Sequence, residues 1–207
     1  MDADHVERLI AEAYNARGDG LGWRLLGGRW ATLKTADVAF LTLNPGGAAA
    51  EPDRLSCEEG SIYVVERWPG YDDELAPLQR QVQCLFRMIG VAPDEVLAGY
   101  MVPFRSRSWR SLRDRAGAVA FGRDLWSELL ASRRPRLVVT ISGVVFEAMR
   151  DMLDGGDVRS LNSGWGSARI RMCDYHGGRL VGLPHLSRYR LFSRPACRDV
   201  LAGVLAP

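Results

Sequence analysis

The chain has 207 residues, of which 47% are hydrophobic and 25% charged, with a formal net charge of +2. That balance belongs to a globular protein and excludes disordered and fibrous classes; at about 150 residues per domain the length fits a single domain. No apolar run approaches the roughly 20 residues that span a bilayer, and Met1 to Glu7 lacks the basic and apolar regions of a secretory signal, so a cytoplasmic, monomeric protein with no membrane partner is expected.

Residues 3 to 16 place Val6, Leu9, Ile10, Ala13 and Tyr14 at helical spacing, and the glycines from Gly18 to Gly22 end that helix. Trp23 and Trp30 flank Gly27 and Gly28 in a segment whose pattern assigns it to no element. Val38 to Leu43 is a short apolar and β-branched run closed by Asn44-Pro-Gly-Gly47, which reads as a buried strand and a sharp turn. Pro45 removes a backbone donor and biases Asn44 towards an extended conformation, so Asn44 is held at a strand tip. In open parallel α/β sheets such tips are where ligands bind. Taken alone, the same four residues read equally well as a plain turn.

From Gly46 to about Pro77 the chain has little periodicity and is acidic, with eight carboxylates between Glu51 and Glu74 against Arg54 and Arg67. Connections of this length tend to be functional or disordered. Its Tyr63 and Trp68 have two open readings, as walls of a pocket that stacks a flat ring or as anchors of the loop to the core. Residues 78 to 88 return to helical register through Val82, Leu85 and Phe86, and residues 96 to 103 fit a second short strand that ends near Tyr100. Beyond it, Arg105-Ser-Arg-Ser-Trp109 begins a basic segment with nine arginines up to Arg136 against Asp114, Asp124 and Glu128. Guanidinium and hydroxyl donors of this kind, Arg105 and Arg107 first among them, suit phosphate oxygens; a solvated arginine-rich face is the alternative.

A helix is expected over 118 to 132, a third buried strand over 137 to 141, and a helix over 144 to 153. Residues 168 to 175 and 179 to 183 read as strands joined through His176-Gly-Gly178, and residues 192 to 205 as a closing helix. The alternation predicts an α/β fold: a three-layer α/β/α domain over residues 1–207 with a mainly parallel four-stranded central sheet. Cys57, Cys84, Cys173 and Cys197 are scattered without a C-x-x-C pair, so neither a zinc site nor an iron–sulfur cluster is expected, and no metal or other cofactor.

The last strand runs into Pro184-His-Leu-Ser187, which puts His185 and Ser187 at a second strand tip. Asn-Pro-Gly after the first strand and Pro-His-x-Ser after the last, in that order, resemble the uracil-DNA glycosylase superfamily. The likeness is to the branches whose first motif is G-x-N-P-G, the mismatch-specific and single-strand-selective enzymes. It covers the chain from about Asp37 to the final helix. The resemblance implies that Asn44 orients the water attacking the sugar, and that His185 hydrogen-bonds the pyrimidine O2 and stabilises the departing base. It also implies that Ser187 and Arg188 grip phosphates, that Tyr189 fills the gap left by a flipped nucleotide, and that the base must leave the stack to be reached.

Three positions depart from the family pattern. Thr42 stands for the opening Gly, Leu186 for the Pro of the second motif, and Tyr100 for the Asn that reads the base edge in uracil-specific members. Since Tyr offers one hydroxyl in place of a bidentate amide, the expected target is a damaged or modified pyrimidine other than plain uracil, such as a modified base of phage DNA, in repair or in defence.

The candidate residues are therefore Asn44 and His185 for catalysis, and Tyr63, Trp68, Tyr100 and Ser187 around the substrate. Arg105, Arg107, Arg188, Tyr189 and Arg190 are the candidates for DNA contact. With no activated Lys or Cys near either motif, hydrolysis without Schiff-base chemistry is expected. A non-catalytic module binding modified nucleic acid on the same fold is the alternative, ahead of an unrelated small-molecule hydrolase, which would lack a nucleophile elbow.

Overall fold

The computed structural model describes residues 1–206. Its helices are α1 (Ala3–Arg17), α2 (Thr32–Thr35), α3 (Ile62–Val65), α4 (Pro77–Ile89), α5 (Arg115–Leu129), α6 (Gly143–Leu153) and α7 (Arg198–Leu205). Its strands are β1 (Val38–Thr42), β2 (Leu97–Tyr100), β3 (Leu137–Thr140), β4 (Arg159–Asn162), β5 (Arg169–Tyr175) and β6 (Gly178–Gly182).

The strands form one sheet in the order β2-β1-β3-β6-β5-β4. The first four are parallel, and β5 and β4 extend the sheet antiparallel. The four-strand expectation is thus corrected to a six-stranded mixed sheet. The strand expected over 168 to 175 joins the sheet as β5, and β4 adds a sixth whose residues are exposed or half-exposed, leaving no apolar alternation to read. Among the described residues β4 has β5 as its one strand partner.

Side chains leave β1 alternately, as the period of two requires. Ala39 and Leu41 join the core layer of α1, α5 and α6, whereas Val38 and Phe40 join that of α3, α4 and α7. Because both faces of the sheet are covered, β1 and β3 are buried at every position, which is why they read as unbroken apolar runs. Asp2 caps α1 by accepting from the His5 amide at 2.8 Å, and Gly18 ends it in the left-handed conformation.

The closing helix is shorter than its expected 192 to 205 span. Leu191–Ser193 and Pro195–Cys197 are separate 3-10 turns, and the α-helix starts only at Arg198. Pro195, which supplies no backbone donor, interrupts it. The second strand likewise ends at Tyr100, and the helix expected from 118 begins at Arg115, capped by Asp114. The unassigned segment around Trp23 makes isolated bridges, Trp23 with Phe104 and Leu26 with Gly99.

Helix α5 lies close against the end of β2. A Cβ on Gly122 would stand 1.9 Å from the Met101 carbonyl oxygen, and Trp126, wholly buried, donates its Nε1–H to the Tyr100 carbonyl at 2.9 Å. That contact fixes where β2 stops and where the following loop begins.

Candidate active site at the carboxyl edge of the parallel strands

Because β2, β1, β3 and β6 are parallel, Tyr100, Asn44, Ser142 and His185 all emerge at the same edge of the sheet. Adjacent strands lie about 4.8 Å apart, so the tips carrying Asn44 and His185, with β3 between them, are separated by about 10 Å.

Asn44 follows the last residues of β1, where pairing continues beyond the strand proper. Met101 N donates to Thr42 O and Val102 N to Leu43 O, each at 2.8 Å. Ser106 N then donates to Pro45 O at 3.2 Å. This extended ladder brings the loop after β2 around the Asn44 side chain. Nδ2 faces three acceptors, Ser106 Oγ at 2.8 Å, Pro45 O at 3.1 Å and Phe104 O at 3.2 Å. Ser106 Oγ in turn donates to Ser108 O at 3.0 Å, which leaves its lone pairs for Asn44. Such surroundings fix the amide orientation: both N–H groups are committed inward, and Oδ1 remains as an acceptor. Arg105 secures the same loop by donating to Gly46 O and to Glu51. Gly47 has φ +142, and a Cβ there would meet the Arg105 guanidinium at 3.0 Å, so the Pro-Gly-Gly turn is needed for this approach.

His185 sits on a tight turn after β6. Its carbonyl accepts from Arg188 N at 3.0 Å and Tyr189 N at 2.9 Å, while Leu186, fully buried, pins the turn into the core. The ring Nδ1 is 2.8 Å from Ser187 Oγ and 3.4 Å from the Ser187 amide. A backbone N–H only donates, so Nδ1 acts as an acceptor, and the neutral ring carries its proton on Nε2. Although the residue keeps a solvent-facing side, partial burial lowers its pKa from the ordinary 6.5, which favours that neutral form.

Between α3 and the ends of β1 and β2 lies a polar and aromatic cluster. Tyr63, 3% exposed, packs edge-on against Phe40 at 5.6 Å, Trp68 at 5.9 Å and Phe86 at 6.3 Å. Tyr63 therefore belongs to the core of the acidic segment, and Trp68, half-buried, lies above it. Tyr100 is the register partner of Thr42 across the β1–β2 pair. Burial pushes both tyrosine hydroxyls up, Tyr63 strongly, so both are neutral donors at physiological pH.

Arg24, 5% exposed, forms a two-pronged ion pair with Glu66 at 2.9 and 3.0 Å beside these tyrosines. Among the described residues its Nε–H has no partner, and neither does Thr42 Oγ1, which lies beside the Tyr63 hydroxyl without the geometry of a hydrogen bond. Arg24, Glu66 and Ser106 carried no local signal in the sequence, because each acts through a residue at least 42 positions away.

The remaining candidates fall in two places. Arg105 is buried and paired, whereas Arg107 is exposed on the adjoining loop. Arg188 and Arg190 are exposed after His185; the Arg188 guanidinium lies 5.6 Å over Tyr189, whose ring meets Trp165 edge-on at 6.2 Å. Arg194 covers the Trp165 ring at 4.7 Å. Beside this patch a cavity of about 440 Å³ opens between the β3 and β6 tips, lined by Ser142, Gly143, Arg169, Arg171, Pro184 and Tyr189 among others. Asn44 and His185 do not line it.

No protein-family model matches the sequence, and no curated protein matches it significantly. Among the described residues, no group of three or more His, Cys, Asp or Glu side chains is placed to hold a metal ion, and no helix is long and apolar enough to cross a membrane.

Proposed function

We propose that the chain is a monofunctional DNA glycosylase that hydrolyses the N-glycosidic bond of a flipped, modified pyrimidine nucleotide. One observation carries the reading: an acceptor with its orientation fixed, Asn44 Oδ1, and a neutral donor, His185 Nε2–H, emerge from two tips of one sheet edge about 10 Å apart. A nucleoside lying between them would present its anomeric carbon to the first and its base carbonyl to the second.

In the proposed reaction the C1′–N bond breaks with its electron pair passing to the base. A water oriented by Asn44 Oδ1 supplies the oxygen that bonds to C1′, and the water proton ends on the base. His185 Nε2–H stabilises the negative charge that gathers on the base carbonyl as it departs. Such a donor is effective because it is already in place, so no solvent need reorganise. In the neutral form Nδ1 accepts from the Ser187 amide, which holds the ring with Nε2–H free to donate.

Tyr100, with Trp68 and Tyr63 behind it, would form the base-reading wall, and Arg188, Tyr189 and Arg190 with Arg107 would meet the DNA. Hydrolysis without a covalent enzyme intermediate is favoured by the placement of Lys34. It lies on α2, before β1, and so at the opposite edge of the sheet from Asn44.

The test is release of free base and appearance of abasic sites on a panel of oligonucleotides and modified phage DNAs. Release of a modified pyrimidine supports the reading. Removal of plain uracil at ordinary glycosylase efficiency, with modified cytosines ignored, would overturn its substrate part; no release from any member would overturn the activity.

A further inference from the structure

A second cavity, of about 330 Å³, is lined in part by Ser106, the residue that accepts from Asn44. Its walls are the loop after α1 and the loop after β2, and its polar lining is Asp19, Arg105, Ser106, Arg107, Ser111 and Arg113. The walls are fastened to one another. Arg17 pairs with Asp19 at 2.8 Å, donates across the gap to the carbonyls of Arg113 and Asp114, and stacks its guanidinium 4.7 Å over Phe104. The Tyr14 hydroxyl accepts from Gly22 N at 2.6 Å, and Arg105 N donates to Gly22 O at 3.0 Å.

The lining is rich in donors. Asp19 supplies its one carboxylate, which Arg17 already neutralises. Among the described residues the guanidinium groups of Arg107 and Arg113 have no acceptor, and both residues are exposed. Arg105 lies behind them, its guanidinium already donating to Gly46 O and to Glu51. Two arginines with unpaired guanidinium groups lining a pocket of this size, with a third arginine behind them, match a tetrahedral oxyanion.

We infer that this cavity is a phosphate subsite. Two lining residues also hold the β1 tip: Ser106 accepts from Asn44 Nδ2, and Arg105 donates to Gly46 O. A phosphate in the cavity is therefore one side chain removed from the group proposed to orient water, and its binding orders the loop that carries that group. The phosphate has two chemical sources, a backbone linkage of DNA or a free phosphate group. The inference draws on the proposed function only for the first source, and it stands whether or not a base is released.

The test uses the full chain with the double change Arg107→Gln and Arg113→Gln, whose exposed positions leave the fold intact, as an unchanged melting temperature would verify. The probes are a short fluorescent single-stranded oligonucleotide and inorganic phosphate. The wild type should bind the oligonucleotide about tenfold more tightly than the variant at low salt, and its log K against log salt slope should be steeper by about one to two. Replacing one backbone linkage by a neutral methylphosphonate should reproduce the loss in the wild type and add nothing in the variant. If oligonucleotide binding is unchanged but inorganic phosphate raises the melting temperature of the wild type and not of the variant, the subsite stands with a free phosphate as its ligand. The inference is overturned if both probes act alike on the two proteins, or if binding weakens without any single linkage accounting for it and without a phosphate effect.

Discussion

Ser106→Ala removes the nearest of the three acceptors around Asn44 Nδ2 and nothing else of consequence. Ser108 O, which loses the Ser106 hydroxyl, still accepts from Ser111 N at 3.0 Å and Ser111 Oγ at 2.8 Å. The change deletes one atom from a residue that is 5% exposed, too little to open a cavity of note. A neutral hydrogen bond of this kind is worth about 1 kcal/mol net, which for a chain of this size lowers the melting temperature by about 2–4 °C. If that same 1 kcal/mol is what keeps Oδ1 aimed at the attacking water, base release slows about fivefold under single-turnover conditions. DNA binding should stay unchanged. The assay is single-turnover release on the substrate identified from the panel, with thermal melting alongside. Unchanged release would refute the idea that Ser106 orients Asn44. Abolition as complete as in Asn44→Ala, with the melting temperature preserved, would refute it differently, by making Ser106 a participant in the chemistry.

Three further outcomes are expected. Since burial lowers the His185 pKa, the folded protein binds its proton less readily than the unfolded chain. That group's contribution to stability is full above about pH 6.5 and is lost as pH falls below it. Protonation puts a hydrogen on Nδ1 and breaks the contact with the Ser187 amide that orients the ring, so base release should be flat above that pH and fall in acid with an inflection below 6.5, and His185→Gln should remove both dependences in pH–rate and pH–melting profiles. Arg24→Met leaves Glu66 without its partner; because Glu66 keeps about a quarter of its side-chain exposure, the loss should be near the low end for a broken buried pair, about 3 kcal/mol, measurable by urea unfolding. Gly122→Ala drives a methyl group into the Met101 carbonyl and should cost about 2–3 kcal/mol, whereas Gly203→Ala, at an exposed position of α7, meets nothing within 4 Å and should stabilise by about 0.5 kcal/mol.

The parts of this fold that could be read from the sequence are those whose signal is local. Val38 to Leu43 is apolar at every position but one because both faces of β1 are covered, and Pro45 with two glycines marks where the strand stops. The hairpin through His176 to Gly178 likewise announces itself by its turn residues. What stayed hidden depends on distant partners. The Asn44–Ser106 bond spans 62 positions and the Arg24–Glu66 pair 42, and no periodicity encodes either. The acidic stretch from Glu51 to Glu74 has no helical pattern, yet it holds α3 and packs Tyr63 into the core through contacts with Phe40 and Phe86 that come from β1 and α4. Arg105 looked like a surface cation in an arginine-rich run; the structure buries it because Gly46 O and Glu51, both on the β1 loop, receive its donors.

The most direct test of the proposed chemistry is single-turnover base release compared among the wild type, Asn44→Ala and His185→Ala on the responding substrate. Loss of an oriented donor to the departing base should slow release by about 10²–10³ in His185→Ala, and Asn44→Ala should also lose most of its rate, with all three proteins binding DNA alike. Release at the wild-type rate in either variant would contradict the assignment of water and leaving group to these two strand tips.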